Sequence, residues 1–129
     1  MNPSIDALYA IDACAKWLGI ETFDDQGVIR LKMRVHNNML NGVSVCHGGI
    51  LFALADTALA YALCIEGFTG FGIEGSIHFL LPAHLDDTLL TRSTLQRHGK
   101  ALGVADVVIT NQHEQTVAIF RGSALRKKS

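Results

Sequence analysis

The stretch "NGVSVCHGGILFALADTALAYALCIEG", residues 41 to 67, constrains the fold more than any other. Two glycines follow a histidine, and an almost wholly apolar, helix-prone run comes after them. One carboxylate, Asp56, stands in its middle. A helix over residues 47–65 would be about 28 Å long at roughly 1.5 Å per residue, enough to cross a bilayer. A central Asp would cost roughly 2.5–3.5 kcal/mol there, and no basic flank sets an orientation. A helix that is apolar all round is otherwise buried on all sides. The segment therefore reads as the core helix of a soluble protein, with a buried acid at its centre.

The rest of the chain supplies what such a helix packs against. Residues 6–18 read as one short amphipathic helix, with Leu8, Ile11, Ala15 and Leu18 three or four apart and Gly19 at its stop. Ile29, Leu31, Met33 and Val35 alternate with Arg30, Lys32 and Arg34, a strand over 28–35. The "DDQG" turn before it supports a hairpin with a short strand near 20–23. Four further strands fall near 71–81, 87–97, 101–111 and 115–126, separated by polar, turn-prone breaks. Segment 101–111 is apolar on both faces and reads as covered on two sides. The class is α+β, an antiparallel sheet whose apolar face only the long helix can cover.

At 129 residues the chain reads as a single domain, 1–129. Eleven Lys+Arg against twelve Asp+Glu give no basic excess for nucleic acid, and "LRKKS" reads as a solubilising end. Cys14, Cys46 and Cys64 form no CxxC pair and fit reduced thiols in a cytoplasm. The N-terminal residues lack the basic and apolar blocks of a signal peptide.

Two features carry chemistry. The amides of a helix start lack internal partners and carry about half a positive charge, and glycine lets a carbonyl approach them closely. Gly48 and Gly49 therefore offer an oxyanion site, or else a tight seat for the helix on the sheet. A buried carboxylate is costly unless it is bonded, so Asp56 is either reactive or held by Thr57, a sheet serine or an arginine across an interface. Asp56 lies eight residues beyond Gly48, about 12 Å along and some 80° round at 3.6 residues per turn. One helix cannot aim both at one atom, whereas two antiparallel copies can, which points to a homodimer.

"DACAKWLGI", "MLNG…CHGGILFALADTALAYA", "RHGK" and "VAIFRG" resemble the hotdog-fold acyl-CoA thioesterases, and within them the PaaI-type thioesterases of phenylacetate pathways. The resemblance runs over about residues 9–123. It implies a sheet wrapped round one long helix, in dimers that usually pair into tetramers. It implies Asp56 as nucleophile or general base, the Gly48 amide of the other subunit polarising the thioester carbonyl, and Asn41 holding the reacting groups. It further implies an aryl-acyl-CoA substrate (phenylacetyl or ring-hydroxylated phenylacetyl) with no separate cofactor, and no metal site is expected because Cys46 and His47 are adjacent and no second pair lies at ligand spacing. His47, Gly49, Thr57, Lys100 and Arg121 are the candidates for substrate contact. His47 is favoured for a role at the helix entry over catalysis, and for Arg97, Lys100 and Arg121, which could meet the phosphates of coenzyme A, a solvated face is the favoured reading. "GSIHFLLPAHLDD" departs from the family's commoner pattern: Leu81 stands where arginine is frequent, and His84 and Asp86 replace small residues.

Rival readings are a hotdog hydratase, which would have His where Tyr61 stands, a Cys46 nucleophile, and a non-catalytic acyl-CoA binder or sensor. A thioester is already activated, so a carboxylate, an oxyanion amide and a positioned water suffice for hydrolysis.

Overall fold

The computed structural model describes residues 3–127. In chain order it forms α1 (Pro3–Ile11), α2 (Ala13–Leu18), β1 (Glu21–Asp25), β2 (Val28–Arg34), a 3-10 turn (Asn37–Met39), α3 (Gly48–Ile65), β3 (Gly70–Phe79), β4 (Thr88–His98), β5 (Leu102–Thr110) and β6 (Thr116–Arg126). Lys128 and Ser129 of the basic end lie outside the described residues.

The expected helix over 6–18 is two helices. Asp12 leaves the helical region (φ −84°, ψ 86°), and its Oδ1 accepts the Ala15 amide at 3.0 Å, so a new helix starts there. The break resets the phase. Ile5, Ala15 and Leu18 are buried, whereas Ile11, expected on the apolar stripe, is 82% exposed. Gly19 ends α2 at φ 71°, its amide reaching the Ala15 and Lys16 carbonyls.

All pairings are antiparallel, and the six strands stand in the order β1-β2-β4-β5-β6-β3. The β1–β2 hairpin and the four later strands lie within two residues of where alternation put them. Helix α3 crosses the inner face of this sheet, the hotdog arrangement. Leu51, Leu54, Ala58, Leu59 and Leu63 share one buried cluster with Leu89, Val107, Ile109, Val117 and Phe120. Two sheet glycines let the helix seat closely: a Cβ on Gly103 would stand 2.7 Å from Leu63 Cδ2, and one on Gly122 2.8 Å from Leu59 Cδ2. Strand β5 alternates buried and half-buried residues, so only its helix side is closed, not both faces as its composition suggests.

The helix is not buried on all sides within one chain. Strand β3 is the sheet edge beyond β6, and all of its residues except half-buried Ile77 are exposed. Phe71, Ile73 and Phe79 are each more than half exposed. On α3, Gly49, Asp56 and Ala60 open toward solvent. Hydropathy marks a helix that avoids water, but it cannot say whose atoms cover each face.

Candidate active site

The start of α3 is built by its capping residue. His47 sits in extended backbone, and its Nδ1 accepts the Gly49 amide at 3.1 Å. Its carbonyl takes the Ile50 and Leu51 amides. Of the four amides opening the helix, this leaves the Gly48 N–H without a partner among the described residues. The His47 N–H donates to Met39 at 2.8 Å and the Cys46 N–H to Ala83 at 2.7 Å, which fix the chain as it enters the helix.

Asn41 stands beside it. Its Oδ1 accepts the Val43 and Val45 amides at 3.0 and 3.2 Å, shaping the loop, while its side-chain NH2 has no partner among the described residues. Asn41 and Gly48 line one cavity of about 390 Å³ together with Leu51, Phe79 and Pro82. The Phe79 ring lies over Gly48, and a Cβ there would meet Phe79 Cζ at 2.9 Å. The glycine thus serves close approach and leaves its amide open at once.

Asp56 belongs to a different cavity, with Leu59, Leu63, Phe68 and Gly72. Its residue is exposed in the single chain, which corrects the expectation of a buried acid. The cause is the edge position of β3: the sheet closes over α3 on the far side and leaves this stripe open. No hydrogen bond or ion pair engages the carboxylate among the described residues, and the Thr57 hydroxyl donates instead to the Ala53 carbonyl at 2.7 Å. Loss of water to the surrounding apolar atoms pushes the Asp56 carboxyl above its ordinary pKa. A Cβ on Gly72 would lie 3.5 Å from Asp56 Oδ1, so the missing side chain keeps the acid accessible.

The basic candidates lie elsewhere. Arg121 forks onto Asp106 at 2.6 and 2.9 Å, with Gln96 on the same carboxylate at 3.0 Å, and this pairing holds Asp106 below the usual carboxylate range. Arg121 lines neither the Asp56 nor the Gly48 cavity. Lys100 is exposed at the β4–β5 turn, where its carbonyl accepts from Arg126 Nε at 2.8 Å. Arg97 is likewise exposed.

The rival chemistries meet specific obstacles. Burial pushes the Cys46 thiol up to about 11, far from a thiolate nucleophile. Tyr61 is 2% exposed and donates its hydroxyl to Asp12 Oδ2 at 3.0 Å. Among the described residues, no three His, Cys, Asp or Glu side chains gather in a way that could hold a metal ion. Sequence reasoning missed Asp12 and Gly72. An Asp ahead of "ACAKWL" and the glycines of "TGFGIEG" were the available signals.

Residues 44–118 match the thioesterase superfamily model. The chain is 46% identical over 121 residues to the Escherichia coli acyl-coenzyme A thioesterase PaaI, covering 93% of this chain and 86% of that protein. The solved structure of E. coli PaaI superposes with a TM-score of 0.91 at 43% identity, over 98% of this chain and 92% of that one. A hypothetical thioesterase from Streptococcus pneumoniae, solved with coenzyme A, gives a TM-score of 0.85 at 27% identity, over 95% of this chain and 97% of that one. Fold and matches define the class, a hotdog-fold thioester hydrolase. The chain belongs to the thioesterase superfamily.

Proposed function

We propose that the protein is an acyl-CoA thioesterase of the cytoplasm acting on phenylacetyl-CoA or its ring-hydroxylated derivatives, with a homodimer as the minimal active unit and a tetramer as the expected assembly. Asp56 acts as general base on water or as nucleophile, and the Gly48 amide receives the charge that develops on the thioester oxygen. On the water route, Asp56 takes a proton as water adds to the carbonyl carbon. The oxyanion then collapses, the C–S bond breaks, and the proton passes to the departing thiolate of coenzyme A. A thiol of pKa near 8.5 leaves with little help, so no strong acid is required.

The observation that carries this reading is the separation of the two halves. Gly48 and Asn41 share one cavity and Asp56 another, while the apolar edge that would meet a second copy lies open. A dimer that seats β3 against its counterpart covers Phe71, Ile73 and Phe79 and brings the start of one helix toward the middle of the other. The E. coli relative is named as an acyl-coenzyme A thioesterase and the S. pneumoniae structure holds coenzyme A, which supports the substrate class. The experiment is thiol release from aryl- and alkyl-CoA esters alongside sedimentation. Asp56→Asn should keep fold and assembly while losing at least roughly a hundredfold in kcat. Binding of coenzyme A esters without thiol release from any of them would instead identify an acyl-CoA sensor.

A further inference from the structure

We propose that the cavity beside Asp56 is the acyl pocket and that Leu8 of α1 is its specificity-determining end wall, limiting the acyl group to one aromatic ring or a short chain. This deepens the proposed function and rests on Asp56 being the reacting carboxylate. The cavity measures about 140 Å³ and is bounded chiefly by Asp56, Leu59, Leu63, Cys64, Phe68 and Leu8. An apolar protein cavity of about 150 Å³ accepts benzene, so this one has room for a single ring. Asp56, Ala60 and Cys64 recur every four residues along one stripe of α3, so the cavity runs along the helix away from the carboxylate. A carbonyl carbon held at Asp56 sends its substituent down that stripe toward Leu8.

The walls are fixed rather than yielding. Phe68 is 2% exposed, and the Arg126 guanidinium lies 4.4 Å from its ring centroid. Arg126 is itself tied to the Lys100 and Gly99 carbonyls at 2.8 and 3.2 Å. Helix α1 is pinned by Ile5, 1% exposed, by the Cys64 thiol directed at the Ser4 carbonyl at 3.7 Å, and by the Tyr9 hydroxyl on the Ile20 carbonyl at 2.8 Å. An end wall on an anchored helix sets a size limit, whereas one on a free tail would move aside.

The test compares wild type, Leu8→Ala and Leu8→Phe on acetyl-, phenylacetyl- and naphthylacetyl-CoA, with thermal melting to verify folding. Wild type should prefer phenylacetyl over naphthylacetyl by at least about tenfold in kcat/KM. Leu8→Ala should shrink that ratio about tenfold, and Leu8→Phe should lower the phenylacetyl-to-acetyl ratio by a similar factor. Both ratios unchanged in folded variants would overturn the proposal. A second arm titrates a non-hydrolysable thioether analogue of phenylacetyl-CoA by calorimetry. Affinity reduced about tenfold in Leu8→Phe, with no turnover of any ester, would uphold the pocket and reject the catalytic reading. Turnover that depends on Asp56 while selectivity ignores Leu8 would reject the pocket alone.

Discussion

Replacing Asp12 by alanine removes two supports at one atom pair. Oδ1 caps α2 through the Ala15 amide, and loss of such a cap costs about 0.5–2 kcal/mol. Oδ2 accepts the hydroxyl of Tyr61, a residue 2% exposed, and stranding that hydroxyl costs about 1–3 kcal/mol. The sum is about 1.5–5 kcal/mol, a large share of a typical domain stability of about 5–15 kcal/mol. At about 3–5 °C per kcal/mol for a domain of this size, the melting point should fall by about 5–25 °C. Asp12→Asn keeps one acceptor oxygen for two donors and should lose about half as much. Tyr61→Phe removes the hydroxyl itself and should cost about 1 kcal/mol. Combined with Asp12→Ala, it abolishes the stranded donor, so the double variant should be more stable than the sum of the singles by about 1–2 kcal/mol. Urea unfolding followed by circular dichroism at one fixed protomer concentration reads all four corners. An Asp12→Ala cost below about 0.5 kcal/mol, or an additive cycle, would refute the reasoning.

Asp56→Asn should raise the melting point at neutral pH. Its folded pKa lies above the unfolded one, so the folded state binds the proton more tightly, and the ionised acid opposes folding at every pH above both values. Wild-type stability should gain from this group as pH falls through the raised value, a contribution that Asp56→Asn lacks; an unchanged difference between the two proteins across that range would contradict it. For the same reason the acid limb of the kcat/KM profile should have its midpoint above an ordinary aspartate's, and a midpoint at or below that value would count against Asp56 as the base. Maleimide at neutral pH should label exposed Cys14 while buried Cys46, its thiol raised to about 11, stays unmodified until unfolding; mass spectrometry of the native protein checks this. Gly48→Ala should displace the Phe79 ring, which a Cβ would meet at 2.9 Å, and slow turnover; undiminished kcat would contradict the placement.

Much of the fold was legible because alternation and turn chemistry are local. The hairpin of β1 and β2, the long helix and the four later strands all follow from side-chain period and polar breaks. What failed was local in a different way. Asp12 sits inside a periodic apolar pattern, and a cap that interrupts a helix looks the same in sequence as a polar residue on its wet face. The pairing of Arg121 with Asp106 depends on β5–β6 register, which sets those two residues opposite each other and which composition alone does not disclose. Gly48, Asn41 and Asp56 stood out as residues, and the eight-residue offset already showed that one helix cannot aim Gly48 and Asp56 at one atom. That Asp56 lies open in one chain was not legible, because an apolar helix face reads the same whether its own sheet or a second copy covers it.

The most direct test of the central claim is thiol release from phenylacetyl-CoA and its ring-hydroxylated derivatives by wild type and Asp56→Asn, each at a concentration where sedimentation establishes its assembly. Rapid release by a wild-type dimer or tetramer, reduced at least roughly a hundredfold in an equally assembled variant, is the predicted result. Near-normal turnover by Asp56→Asn, or full activity in a monomer, would contradict it.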